Sequence, residues 1–230
     1  MQDTAGILIV DKEKGMTSHD VVQAVRRRFG IKKVGHAGTL DPNATGVLVL
    51  LLGRATKLSS RYSADEKEYL AVMKLGEKTD TGDSCGKIIE RAEVRVSPEE
   101  LSAAARSFIG ESYQTPPMVS AKKVNGKRLY KLARKGLEVK RKPQKIFIEK
   151  IEIIESAMPF ATFSVICSKG TYIRQLAEDI GEKLGCGAHL TELRRTRSGT
   201  FTLEGSARYS DLVRMTGDDL NESIIRLQES

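Results

Sequence analysis

Three observations predict an α+β fold. Short apolar runs with the look of strands mix with amphipathic helical stretches, without the regular strand, helix, strand rhythm of a parallel α/β sheet. One run, residues 47–52, is six apolar residues in a row between Gly46 and Gly53, as in a strand buried on both faces in the middle of a sheet. The 230 residues are 40% apolar, enough for the core of one large domain.

Along the chain, residues 6–10 read as a short strand that enters a surface loop at Asp11 and Lys12. A helix follows: Thr17 or Ser18 can cap it, Val21, Val22, Val25 and Phe29 share one face, and Gly30 supplies a left-handed stop. Arg26, Arg27 and Arg28 then fall mostly on its solvent side. Residues 69–75 read as another strand, and the Gly-, Asp- and Thr-rich stretch 76–86 as a loop. Ser97-Pro98-Glu99-Glu100 is a capping box with proline at the first helical position, opening a helix that Gly110 is expected to close. Strand patterns resume at 145–155 and 162–168. Residues 171–185 form a helix with Ile173, Leu176, Ala177, Ile180 and Leu184 on one face, residues 198–204 a last strand, and the final 26 residues a short helical end.

Thirty-eight Lys and Arg against thirty Asp and Glu leave a net charge of +8. The excess is concentrated: between Lys122 and Lys145 eleven basic residues face one acid, Glu138. With Pro116-Pro117 before it, Gly126 and Gly136 inside and Pro143 near its end, this stretch reads as an insertion standing off the sheet. Its basic residues are interleaved with Val124, Leu129, Tyr130, Leu132 and Leu137, so it can pack a small apolar face and present charge to a nucleic-acid backbone. Three cysteines, Cys85, Cys167 and Cys186, have no C-x-x-C spacing and read as buried packing residues, against both a disulfide framework and a zinc site. Cys186 and His189 lie three apart, and without a second ligand pair they read as structural. No stretch reaches the roughly 20 apolar residues of a membrane span and no signal segment opens the chain, so a soluble, cytoplasmic protein is expected.

Residues 35–46, G-H-A-G-T-L-D-P-N-A-T-G, stand directly before the buried strand. Three glycines, a histidine, a proline and a carboxylate describe a tightly turned loop presenting polar groups at a sheet edge. Composition alone leaves Asp41 open between a turn cap and a reacting group. Residues 168–174, S-K-G-T-Y-I-R, place Arg174 in the first turn of a helix, where a guanidinium can hold a carboxylate, touch a phosphate or simply face solvent. Arg194, Arg195 and Arg197 make a charged run that suits either phosphate contact or a solvated edge. Walker-A, dinucleotide, H-E-x-x-H and G-x-S-x-G signatures are all missing, which leaves carboxylate chemistry on RNA or DNA.

Residues 35–46 resemble the catalytic block G-H-x-G-x-L-D-P-x-A-T-G of the TruB-type pseudouridine synthases. The resemblance extends over about 200 residues. Residues 7–18 resemble the family's opening strand and K-x-x-G-x-[ST]-S turn, and Lys67-Glu68-Tyr69 its K-x-Y strand. Residues 168–174 and 189–195 resemble its S-K-G-T-Y-I-R and H-L-x-x-L-R-R segments. Residues 115–130 resemble the thumb of the bacterial, guide-independent branch. One departure is Glu13, where family members commonly carry proline.

The resemblance implies a central mixed, mostly antiparallel sheet flanked by helices, with a basic thumb at 114–145. It implies isomerisation of the uridine at position 55, in the T-arm loop of tRNA, with Asp41 as nucleophile and Arg174 as its ionic partner. Tyr69 stacks on the uracil and is a candidate for moving a proton, Leu193 gives apolar contact, and His36 fills the space left by a flipped nucleotide. Lys12, Lys169 and Tyr172 are expected at the substrate; Lys122, Lys123, Lys127, Arg128, Arg194 and Arg195 are expected on its phosphates. No cofactor, metal or obligatory protein partner is implied, and the enzyme is expected to act as a monomer. Residues 1–205 are expected to form the catalytic domain and 206–230 a short helical segment rather than a full PUA domain. A guide-RNA-dependent synthase and a non-catalytic tRNA chaperone are the alternatives.

Overall fold

The computed structural model describes residues 5–124, 126–133 and 135–227. In chain order it contains β1 (Gly6–Lys12), α1 (Ser18–Phe29), β2 (Val34–His36), β3 (Thr45–Leu52), a 3-10 turn (Gly53–Leu58), α2 (Ser59–Ala64) and β4 (Lys67–Leu75). There follow β5 (Glu77–Thr79), β6 (Ile88–Arg91), α3 (Pro98–Arg106), β7 (Gly110–Gln114), β8 (Lys123–Val124), β9 (Lys127–Arg128) and α4 (Leu129–Ala133). The last elements are β10 (Gln144–Ala157), β11 (Phe160–Cys167), α5 (Ile173–Lys183), β12 (Ala188–Ser198), β13 (Phe201–Thr202), β14 (Ala207–Arg208), α6 (Tyr209–Leu212) and α7 (Gly217–Ser223). They form two compact units, residues 1–69 with 193–230, and residues 70–192.

In the first unit β3 is the central strand. It runs antiparallel to β1, with Gly6 opposite Leu52 and Lys12 opposite Gly46, and parallel to β12, with Arg194 opposite Thr45. Val47 through Leu52 have no exposed surface, because the two faces of the strand belong to different cores. Leu48, Leu50 and Leu52 pack with Val21, Val22, Val25 and Phe29 of α1, while Val47, Val49 and Leu51 pack with Ile7, Ile9 and Ala55. The helix α1 begins and ends where the sequence places it, with Thr17 closing a capping box on Asp20 and Gly30 in the left-handed conformation.

The C-terminal segment is more than the expected helical end. Its strand β14 runs parallel to β1, Ile225 and Ile7 exchange backbone hydrogen bonds, and Leu212, Leu220 and Ile224 are buried in the α1 core. Glu13 accepts from the Ser210 amide at the start of α6.

In the second unit the strand order is β4, β11, β10, β7, and α3 packs on both β10 and α5. Three expectations change here. Residues 76–86 are not only a loop: β5 and β6 pair as a hairpin, and the Gly- and Asp-rich signal marks its turn, where Asp80 and Lys87 hydrogen-bond. The helix opened by Ser97 ends at Arg106, and Gly110, at φ +103°, begins β7 instead. The helix expected from 171 starts at Ile173, with Thr171 and Tyr172 outside it. The insertion does stand off the main sheet, its β8–β9 hairpin forming a sheet of its own. Cys167 and Cys186 are buried as expected, but Cys85 is exposed. His189 Nδ1 lies 3.1 Å from the Glu77 carbonyl, a structural placement.

Candidate active site

Asp41 is half-buried on the loop between β2 and β3, and nearly every neighbour in that loop is tied down. Ser18 Oγ accepts from the Leu40 amide and donates to its carbonyl, and Gly15 N–H donates to the Pro42 carbonyl. The Asp41 carbonyl accepts from Ala44 N–H, closing the turn. At Gly46 the φ of +99° puts the missing side chain against the Arg195 backbone, where a Cβ would sit 2.2 Å from the carbonyl oxygen. Only glycine permits this approach of β3 to β12 at the end of the loop.

Two buried cations complete the loop. Lys12 has no exposed surface, and its ammonium donates to the carbonyls of Glu13 (2.9 Å), Met16 (2.8 Å) and Pro42 (3.0 Å). Burial lowers its pKa to about 8, opposed by the neighbouring charge of Asp41. Arg195, 1% exposed, donates from Nε to the Val47 carbonyl (2.7 Å) and from Nη2 to that of Gly38 (3.1 Å). Both residues were expected at the RNA. In the structure both are buried, and each gives one donor to the Asp41 loop, Lys12 at Pro42 and Arg195 at Gly38, and the rest to neighbouring backbone at Glu13, Met16 and Val47.

The charged run fails as a single surface because residues 188–198 are one strand, β12, and successive side chains of a strand face opposite sides. Arg194 points the other way and pairs with Asp11 at 2.7 Å while reaching Thr45 Oγ1 at 3.3 Å. Tyr69 and Leu193 are both partly buried against the α1 core, and His36 ends β2.

In the second unit Arg174 lies in the first turn of α5 and is 4% exposed. Nη1 donates to the Thr81 carbonyl (2.8 Å), Nη2 to the Val119 carbonyl (2.6 Å), and Nε stands 3.8 Å from Asp83 Oδ2. It is neither a solvated helix arginine nor a surface phosphate ligand. The sequence reading missed Thr81, Asp83 and Val119 as its neighbours; the hairpin turn containing Gly82, whose missing side chain makes room for Glu178, was the available signal. Burial, then Asp179, push the Glu178 carboxyl up to about 7, against the pull of Arg174. Lys169, Lys123, Lys127 and Arg128 are exposed, and Tyr172 and Lys122 half-buried. Among the described residues no group of His, Cys, Asp or Glu is arranged to hold a metal, and no helix is long and apolar enough to cross a membrane.

The first unit carries a half-buried carboxylate on a locked loop, and the second a buried arginine beside a basic insertion. The class of enzyme comes from comparison with known proteins. Residues 26–173 match the N-terminal domain of the TruB family pseudouridylate synthases, and residues 174–228 the C-terminal domain of tRNA pseudouridylate synthase B. The chain is 47% identical to the tRNA pseudouridine synthase B of Syntrophotalea carbinolica, over 98% of this chain and 74% of that one. It is 51% identical to that of Geotalea uraniireducens, over 93% and 69%. Among solved structures it resembles a chain of a Cbf5-Nop10-Gar1 complex, with a TM-score of 0.76 and 31% identity, covering 96% of this chain and 59% of that chain. It likewise resembles a chain of an H/ACA RNP bound to a substrate RNA containing 2'-deoxyuridine, with a TM-score of 0.70 and 30% identity, covering 96% and 56%. It thus spans less than two thirds of the length of either structural neighbour. The chain belongs to the TruB family of pseudouridylate synthases, which are isomerases.

Proposed function

We propose that this protein isomerises the uridine at position 55, in the T-arm loop of tRNA, to pseudouridine, with Asp41 as nucleophile. The observation that carries the reading is the Asp41 loop: a carboxylate left half-exposed while the groups around it are hydrogen-bonded into place. Such rigidity suits a group that must meet a reacting carbon in one orientation. The name shared by the relatives supports tRNA as substrate.

In this reading Asp41 attacks the ribose anomeric carbon or uracil C6. The bond from the sugar to N1 breaks, the base turns, a bond to C5 forms, the bond to Asp41 breaks with its electron pair returning to the carboxylate, and the C5 proton leaves as N1 gains one. Atoms and electrons balance within the substrate, so neither oxidant nor reductant is required. Arg174 is the ionic partner that orients Asp41, Tyr69 stacks on the base and is the candidate for moving the proton, Leu193 contacts the base, and His36 occupies the space of the flipped nucleotide. Lys169 and Tyr172 contact the substrate, and Lys122, Lys123, Lys127 and Arg128 meet phosphates. The enzyme works in the cytoplasm as a monomer, without cofactor, metal or protein partner.

A second reading, guide-dependent synthesis, is favoured by the likeness to chains found in H/ACA complexes; the thumb speaks for the first. Tritium release from a bare tRNA transcript labelled at uracil C5 decides between them. Near one equivalent per tRNA is expected from the wild type, and a rate at least about a thousandfold lower from Asp41→Asn at an affinity within a few-fold. Release only after a guide RNA is added favours the second reading. Tight binding without any release favours a chaperone.

A further inference from the structure

The root of the thumb grips the residue that begins the helix of Arg174. Gln114, the last residue of β7, is 3% exposed, and both ends of its amide are spent on one partner. Nε2 donates to the Tyr172 carbonyl at 3.1 Å, and the Tyr172 N–H donates to Oε1 at 2.8 Å. Tyr172 is the N-cap of α5 and makes no side-chain cap of its own. Backbone donors at the start of a helix have no partner within it, so a side chain from another element fixes where the helix begins. Two residues later stands Arg174. Its Nη2 donates to the carbonyl of Val119, five residues further into the thumb than Gln114. The thumb root therefore holds this segment twice, once by the backbone of residue 172 and once by the guanidinium of residue 174.

We propose that Gln114 is a positioning residue for Arg174: its two-way clamp on Tyr172 sets the start of α5 and, with the Val119 carbonyl, makes the posture of the arginine depend on the thumb. The proposal rests on the reading of Arg174 as the partner of Asp41. Of the isosteric pair Gln and Glu, only the amide offers a donor together with an acceptor when the carboxyl is ionised. An ionised carboxylate in its place turns a lone pair toward the Tyr172 carbonyl, whereas a protonated one restores the donor. Gln114→Glu is therefore a version of the clamp that pH opens and closes, and burial moves its titration upward toward neutrality.

The test is single-turnover tritium release from C5-labelled tRNA transcript at saturating enzyme, for wild type, Gln114→Glu and Gln114→Met, at pH 6 and pH 8.5. RNA affinity and thermal melts are followed under the same conditions. Gln114→Glu is expected to be slower than wild type by about tenfold or more at pH 8.5 and to approach it at pH 6. Gln114→Met, which can neither donate nor accept well, should be slow at both pH values, and both variants should bind RNA within about threefold of wild type. Wild-type rates in the variants overturn the proposal, as does an equal loss at both pH values for Gln114→Glu or a loss seen wholly as weaker binding. A wild type that releases no tritium instead overturns the functional reading, and the proposal with it.

Discussion

The Asp41 loop and the Arg174 segment are both built from cations against carbonyl oxygens, with the roles reversed. Around Asp41 the cations are scaffold: Lys12 and Arg195 are sealed in, and their donors fix the backbone that carries the carboxylate. At Arg174 the carbonyls of Thr81 and Val119 fix the cation itself, the group proposed to orient the nucleophile. Burial against carbonyls therefore does not say whether an arginine supports a site or acts in one.

The largest expected effect separates the two arginines. Arg174→Lys should slow single-turnover conversion by about a hundredfold or more, since one ammonium cannot reproduce a planar fork held at two carbonyls. Arg195→Lys should appear first in urea unfolding, at a cost of about 2 kcal/mol for imperfectly satisfied carbonyls, and slow turnover only as far as the loop loosens. The reverse pattern would exchange the two roles.

Lys12 sharpens the scaffold side. Its folded pKa of about 8 lies below the ordinary 10.5, so between those values the unfolded chain holds the proton more tightly and stability gains with rising pH. Replacing it with methionine should abolish that gain, at most about 2 kcal/mol between pH 7.5 and 9.5, in parallel urea titrations. An unchanged pH dependence would place the ammonium in contact with solvent.

Glu178 gives the smallest effect and lies on the Arg174 side. Its carboxyl, raised from 4.5 to about 7, binds protons more tightly in the folded protein, so stability declines as pH rises through that window. Glu178→Gln should be stabilising relative to wild type by about 1 kcal/mol at pH 7.5, allowing for partial solvent contact, and less so at pH 5. Melting curves at the two pH values check it.

Much of the first unit was legible because its signals are local. The α1 cap, the αL stop at Gly30 and the unbroken apolar run of β3 each follow from neighbours in sequence. So did the position of Asp41 in a turn before that strand. What escaped depends on partners distant in sequence. Residues 189–197 look like a charged edge until a strand's alternation sends Arg195 inward beneath a loop some 150 residues earlier. The hairpin of β5 and β6 was hidden because its strands are three and four residues long and β6 is exposed throughout, leaving only its turn visible. The C-terminal segment showed its helices but not β14, two residues whose pairing with β1 no local pattern announces.

The register of β7 and β10 has a further consequence. Gln114 lies opposite Gln144, so the chain leaves the sheet and returns to it on the same rung of one antiparallel ladder. In topological terms the thumb is an overgrown hairpin turn. Its two feet stand about 5 Å apart whatever lies between them, and doubling the length of such a loop costs only about 0.6 kcal/mol. Beyond Val119, whose carbonyl holds Arg174, the insertion can thus be shortened, lengthened or exchanged with little penalty to the sheet beneath it.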